Sequence, residues 1–323
     1  MAEQASMKPV RQTRPMRFAD KRRHLVGVDI GGTKIETVLL GPDGSLLKSC
    51  RTAARQGNEA VLSDIMTSVR HVTRTLGKYD AFSVGIGIPG QVQPSTGMVR
   101  SAVNLGIDRL PLGPVLSHRL DGAVVHVEND VNAAALGAAT LLPTECESTS
   151  VLINFGTGLA AGVVSDGRIE HGDTGICGEI GHIAVEPHMF PCSCGQHGCL
   201  ETVASGGAVQ RLWPDTDGPA MPELIAQAEH GNHKAQAVLD MVIDAQATAV
   251  TIVALCVDPG RILLGGGLLR TGEPMIRRLK TALGRRADGC AFLTAADLGG
   301  RITPVPTDQP IGAVGAALSA RED

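Results

Sequence analysis

Three groups of residues in this 323-residue sequence could do chemistry, and the densest is HIAVEPHMFPCSCGQHGCLE, from His182 to Glu201. It places His182, Cys192, Cys194 and Cys199 in the spacing H-x9-C-x-C-x4-C. One imidazole and three thiolates are the donor set of a closed tetrahedral zinc site, structural rather than catalytic because no position is left for water. The spacing departs from the paired C-x2-C grammar of zinc fingers, and iron–sulfur ligation ordinarily asks for four cysteines. His188 and His197 are further candidate ligands. They rank below His182 because His197 sits inside the tight CGQHGC loop and His188 lies only four residues before Cys192.

The second group is a set of glycine turns. DIGGTK, Asp29 to Lys34, puts the backbone N–H groups of Gly31 and Gly32 beside the Thr33 hydroxyl and the Lys34 ammonium, the makings of a phosphate cradle. It is not a P-loop, since the G-x-x-x-x-G-K-[ST] spacing is absent and the chain runs on into a strand. A plain glycine hairpin is the competing reading of this motif alone. A second turn, FGTG, holds Gly156, Thr157 and Gly158, and a third is the run Gly265, Gly266, Gly267. Two facing turns and a third would let one nucleotide lie in a cleft, phosphates between the hairpins and adenosine near the triple glycine.

The third group is VENDVNAAALG, in which a strand delivers Glu128, Asn129 and Asp130 to the start of an Ala-rich helix. A lone Asp there reads as a helix N-cap. An Asn and an Asp at a strand's carboxyl end also occupy the place where open α/β sheets bind ligands. An Asp that takes a proton from a hydroxyl while a phosphoryl group arrives in line is what alcohol phosphorylation requires.

The elements that must position these groups are read from periodicity. HLVGVDI, IETVLLGPDG and SLLKSCRT form an antiparallel meander of three strands, with Asp29 near the end of the first. Helical spacing covers Asn58 to Leu76, a strand Phe82–Ile88, a strand Val124–Glu128, and a helix Asp130–Thr140. From Ser148 the layout repeats: SVLINFGTG and LAAGVVSDG are again strand, Gly-Thr turn, strand, turn, a weak internal duplication. Met221 to Val257 is mostly helical, RILLGGGLL is a strand, Glu273–Leu283 a helix, ITPVP a last strand and Ile311–Ala320 a last helix.

Composition bounds the function. The length allows two lobes. With 43% hydrophobic residues, 40 glycines and 19% charged residues the chain reads as a turn-rich globular protein. No apolar run is expected to span a membrane. One Trp, one Tyr and five Phe leave little for base stacking, which argues against single-strand nucleic-acid platforms, and a bound sugar would be held mainly by hydrogen bonds. Cys50, Cys146, Cys177, Cys256 and Cys290 sit alone, which suits a reducing cytoplasm with one metal site. Residues 1–24 hold seven basic residues against two acidic ones and no apolar core of a secretion signal, so a basic disordered tail is expected, with Met16 a candidate start.

DIGGTK, GIPGQV, NLGI, ENDVNAAALG, FGTGLAAG, GEIGHI, CSCGQHGCLE and LLGGGLL resemble, in order and spacing, the motifs of the ROK family of repressors, open reading frames and sugar kinases. The resemblance covers residues 25–320. It implies the α/β actin-like ATPase fold, two ribonuclease-H-like lobes around a central cleft that takes ATP and a hexose, often as a homodimer or homotetramer. It implies residues 25–140 as the small lobe, joined by a C-terminal helix at 306–323, and 141–305 as the large lobe with the zinc loop 182–201. In this resemblance Asp130 is the catalytic base, and Asn104, Asn129, Gly158, Glu179, His182 and Glu201 touch the sugar. Gly31, Gly32, Thr33, Lys34, Thr157 and Gly265 to Gly267 hold the nucleotide, and Asp29 lies near Mg2+. His182 serves twice, one ring nitrogen on Zn2+ and the other toward the sugar.

Two departures stand out. Family glucokinases often read GTGxGGG where this chain has Ala160 and Ala161, and NLGID lacks the Pro and Trp that often follow the sugar-loop Asn. The CSCGQHGC segment is similar to that of N-acetylmannosamine kinases. An ATP-dependent kinase of a hexose or N-acetylhexosamine is therefore expected. The alternatives are a sugar-sensing regulator and a sugar-binding protein without catalysis. A winged helix-turn-helix takes about 60–80 residues, more than the 24 that precede the first lobe.

Overall fold

A computed structural model of the chain describes residues 23–77, 80–142, 149–214 and 216–321. Most of the basic stretch 1–24, Cys146 and the expected lobe start at Ser148 lie outside the described residues. The strand expected from His24 does start there, within the stretch assigned to the tail.

β1 (His24–Ile30), β2 (Lys34–Leu40) and β3 (Leu46–Ala53) form the meander that the sequence predicts. α1 (Asn58–Thr73) leads to β4 (Phe82–Ile88). A small antiparallel sheet of β5 (Gln91–Gln93), β6 (Met98–Ala102) and β7 (Ile107–Leu110) follows, then α2 (Leu112–Arg119), β8 (Val125–Asn129) and α3 (Asp130–Leu141). β4 and β8 add in parallel beyond β1, giving the order β3-β2-β1-β4-β8.

The second sheet repeats this order. β9 (Thr149–Phe155), β10 (Leu159–Ser165) and β11 (Arg168–Ile169) are a second meander. After a long loop come α4 (Glu201–Ala204), α5 (Gly206–Leu212), α6 (Ala220–Glu229) and α7 (His233–Val257). Then come β12 (Arg261–Gly265), α8 (Glu273–Ala287), α9 (Ala291–Ala296), β13 (Ile302–Pro304) and α10 (Ile311–Ser319). The sheet runs β11-β10-β9-β12-β13, with β12 parallel to β9 and to β13. The duplication is thus one of topology.

Three expectations shift. The helical span 221–257 is two helices, because Asn232 caps α7 by accepting from the Lys234 and Ala235 N–H groups at 3.1 and 3.2 Å. The C-terminal helix occupies 311–319 rather than 306–323. α7 is long and apolar enough to cross a membrane, contrary to the expectation that no run is; more than half of its apolar window is buried against the second lobe, the pattern of a core helix.

Side chains of β1 alternate. Val26, Val28 and Ile30 face a core shared with Val61, Leu62, Ile65 and Val69 of α1. Leu25 packs on the other side with Ala313, Val314 and Ala317 of α10. α10 lies against the first sheet so closely that a Cβ on Gly27 would sit 1.8 Å from the Ala313 carbonyl oxygen, and one on Gly85 would sit 1.6 Å from that of Ala316. α3 leaves the first sheet and packs on the second, its Ala135, Leu136 and Ala138 meeting Leu152, Val164 and Leu263. The two helices cross in direct backbone contact, where a Cβ on Gly315 would meet the Ala133 oxygen at 1.7 Å.

Gly315→Ala should therefore lower the free energy of unfolding by about 1–3 kcal/mol or more through overpacking, measured by urea titration. Gly284→Ala in α8, with nothing near the added methyl, should instead raise it by about 0.5–1 kcal/mol.

Candidate active site

β8 ends and α3 begins at the crossing of the two helices, and this junction carries Asn129 and Asp130. The Asn129 Oδ1 accepts from the N–H groups of Val131 at 2.9 Å and Asn132 at 3.3 Å, and its Nδ2 donates to the Gly90 oxygen at 3.3 Å. Asn129 is thus the N-cap, and the cap reading of Asp130 falls away. Burial raises the Asp130 pKa to about 6, against partly offsetting backbone N–H groups of Val131 and its own residue, and the Glu179 charge adds to the rise. Asp29, beside Gly312 of α10, is raised to about 7 by burial, then by the charges of Asp130 and Glu36, with Lys34 pulling the other way. Asp29, Asp130 and Glu179 thus share one patch of acidic potential drawn from both lobes. Such a patch fits a bound cation.

The first glycine turn is closed by the Gly31 N–H donating to the Lys34 oxygen at 2.8 Å. Asn104, exposed in a short turn at 103–105, borders it: a Cβ on Gly32 would lie 3.4 Å from the Asn104 Cβ. Thr33 and Lys34 are exposed beside it. The turn Gly156–Gly158 is clasped from three sides. The N–H groups of Gly206 and Gly207 donate to the oxygens of Gly156 and Thr157 at 2.7 and 3.1 Å. The Glu201 Oε2 accepts from the Leu159 N–H at 3.0 Å. Gly266, at φ 92°, packs so tightly that a Cβ would fall 2.3 Å from the Phe155 carbonyl carbon. Gly265 to Gly267 and the second turn are thus adjacent, a bare backbone surface of the kind phosphates and nucleosides use. Of the two alanines, Ala161 is buried in the second core, while Ala160 is half-buried on the face shared with Gly162.

His182, Cys192, Cys194 and Cys199 come together, with all four donor atoms within 4.8 Å of one another. His182 Nδ1 is 3.7 Å from Cys192 Sγ, and Cys194 and Cys199 Sγ are 3.7 Å apart. Tetrahedral thiolates about 2.3 Å from a metal have sulfurs about 3.8 Å apart, so the four residues fit a metal ion. The other ring nitrogen of His182 is 4.0 Å from Glu179 Oε2. Gln196 Nε2 reaches the His182 oxygen at 3.2 Å, Cys194 Sγ at 3.4 Å and Cys199 Sγ at 3.7 Å. Gln196, by its backbone and side-chain N–H groups, brings the exposed Cys194 thiol down to about 6; burial and the neighbouring sulfurs push Cys199 up to about 12. Neither spare histidine joins the cluster: His188 stacks on Phe190 and bonds the buried Glu186 carboxylate.

Sequence reasoning passed over Glu128. Buried at 1% exposure, its Oε1 accepts from the Asn129 N–H at 2.8 Å and Asn132 Nδ2 at 3.1 Å, and its Oε2 lies 2.6 Å from His171 Nε2. Burial raises its pKa, but the imidazoles of His126 and His171 and the Asn129 N–H together hold it down to about 2; the Glu128 partnership raises that of His171. Its one signal was an acidic residue just ahead of Asn-Asp. His171 lies in no motif.

Two sheets of one order, helices crossing between them and glycine turns around an acidic cleft define the actin-like ATPase fold. The chain belongs to the ROK family, whose model matches residues 25–322. It is 32% identical over 299 residues to a glucokinase from Halalkalibacterium halodurans, covering 84% of this chain and 90% of that one. It is 30% identical over 256 residues to an N-acetyl-D-glucosamine kinase from Haemophilus influenzae, covering 75% and 83%. A ROK family glucokinase from Streptomyces griseus, solved with glucose and AMPPNP, matches with a TM-score of 0.73 at 27% identity over 93% of this chain and 100% of that one.

Raised carboxyl pKa values make the folded state hold protons that the unfolded chain has released. Asp29 and Asp130 thus cost stability as pH rises from about 4 to about 7. Asp29→Asn and Asp130→Asn should gain stability relative to the unsubstituted protein above about pH 6 and lose that advantage near pH 4, a difference readable in urea titrations at the two values.

Proposed function

We propose that this chain is an ATP-dependent sugar kinase that transfers the γ-phosphoryl group to a hydroxyl of a hexose or N-acetylhexosamine, with Asp130 as the base. The observation that carries this is the Asp130 carboxyl, relieved of the capping role by Asn129, raised to about 6, and set where the acidic patch meets the glycine turns. A base with a pKa near the working pH is both deprotonated and still basic enough to accept a hydroxyl proton.

In this reading Asn104, Asn129, Glu179, His182 and Glu201 hydrogen-bond the sugar, and the bare Gly158 lets it approach. Gly31, Gly32, Thr33, Lys34 and Thr157 hold the phosphates, and Gly265 to Gly267 border the adenosine. Glu201 links the two, since one of its oxygens holds the Leu159 N–H next to the phosphate turn. Asp29 holds Mg2+, which offsets charge on the transferring phosphoryl group. The cysteines and His182 Nδ1 hold a structural Zn2+, which fixes the His182 tautomer so that Nε2 faces the sugar beside Glu179. Asp130 takes the hydroxyl proton as the sugar oxygen attacks.

Coupled ADP release across a panel of hexoses and acetylated amino sugars tests the reading. Asp130→Asn should cut turnover by about 10²–10⁴-fold while sugar affinity by calorimetry is retained; turnover near the unsubstituted level would sink the assignment. The base must be ionised, so kcat/KM should fall as pH drops below about 6. Metal analysis should find Zn2+ bound to the His182 cluster, and its removal should weaken sugar binding with little loss of ATP binding. Unchanged sugar affinity after verified zinc loss would break the link between clamp and pocket.

A further inference from the structure

The least exposed carboxylate beside the active site is Glu128, and none of the roles above uses it. It sits one residue before the cap and two before the base, at the last turn of β8 before the chain passes from one lobe to the other. One of its oxygens is spent locally, on the Asn129 N–H and Asn132 Nδ2, so its position fixes both ends of the first turn of α3. The other oxygen is spent across the lobes, on His171 Nε2 at 2.6 Å, with His126 Nε2 of its own strand further off at 3.9 Å.

His171 lies two residues beyond β11, in the second lobe, and opens the loop that ends at Glu179. Beside it the Glu170 N–H donates to the Val163 oxygen of β10 at 2.9 Å, and Cys177 packs against the second core. The His171 oxygen accepts from the Cys177 N–H at 3.3 Å, and the Gly178 oxygen accepts from the Ala161 N–H at 2.7 Å. Residues 172–176 between them are exposed. The loop is therefore held to β10 at both ends, and His171 adds a side-chain tie that joins it to Glu128 of the opposite lobe.

We propose that Glu128 and His171 are a positioning pair for phosphoryl transfer, an interlobe tie that sets where the Glu179 loop stands relative to Asp130. The inference rests on the kinase reading for its catalytic consequence, though not for its mechanical one. A buried carboxylate stripped of its partner is costly and rearranges to find another. Around Glu128 the available rearrangement is rotation away from the Asn129 N–H and Asn132, which loosens the turn that holds the base. Misplacing a base by about 1 Å costs about 10²-fold in rate, while ground-state contacts to the sugar are spread over several residues and survive.

His171→Ala, His171→Gln and Glu128→Gln test this. His171→Ala should lower kcat by about 10–100-fold with KM for sugar and for ATP within about threefold of the unsubstituted protein. His171→Gln keeps a donor at this position and should recover most of the loss. The double variant with Glu128→Gln should be no worse than the worse single variant, the signature of one shared interaction. Hydrogen exchange, read in the same proteins without any substrate, should be about tenfold or more faster over residues 170–179 in His171→Ala, with α7 unchanged. Unaltered exchange in that loop overturns the tie whatever the turnover. Accelerated exchange with normal kcat overturns the positioning role. Failure of the unsubstituted protein to phosphorylate any sugar instead overturns the kinase reading and leaves the exchange result to decide the tie.

Discussion

Backbone-to-backbone contact between α10, α3 and the first sheet sets the geometry on which everything else depends. Where side chains interdigitate, helices and sheets stay about 10 Å apart. Here Gly27 and Gly85 on the sheet, and Gly137 and Gly315 on the helices, remove the side chains and let main chains touch. The result is a thin double layer of helix between the sheets. The C-terminal end of the first sheet and the Glu179 loop of the second thereby stand close enough for the charge of Glu179 to act on Asp130.

The chemistry follows from that thinness. β8 delivers Asp130 to the start of a helix that belongs, by packing, to the other lobe. Burial comes from both sides, and burial is the largest cause of the raised pKa of both Asp29 and Asp130. Glu128, nearly as close to the crossing, goes the other way because it is fully partnered. Three carboxylates in one region thus differ by what they touch, two pushed up by burial and one held down as an anion by its partners.

Much of this was legible in the sequence where the signal was local. The meander from His24 to Ala53 alternates cleanly, Gly-Thr turns punctuate both halves, and the zinc-type spacing of Cys192, Cys194 and Cys199 needed no tertiary information. The small sheet β5–β7 was not legible, because its strands are three to five residues long and carry polar Gln91, Gln93, Arg100 and Arg109. Nor was the pairing of Glu128 with His171, since the two are 43 residues apart and imidazole–carboxylate contact leaves no periodic trace. That Asn129 rather than Asp130 is the cap turned on which of two adjacent side chains folds back on the helix, and both Asn and Asp are good caps.

The placing of α10 also has a consequence for how the protein is made. The first sheet is synthesised early, yet the helix that covers the Leu25, Val38 and Leu40 face is made far later. Some 220 residues separate the end of β4 from the start of α10, which at about 5–20 residues per second is on the order of 10–40 s. For that interval the nascent first lobe has one dry face and one open one, narrow and lined by glycine where α10 will lie. Leu25, Val38 and Leu40 stay uncovered on that face until α10 arrives, so the same glycines that let two backbones touch in the finished protein also narrow the apolar surface that the half-made one exposes.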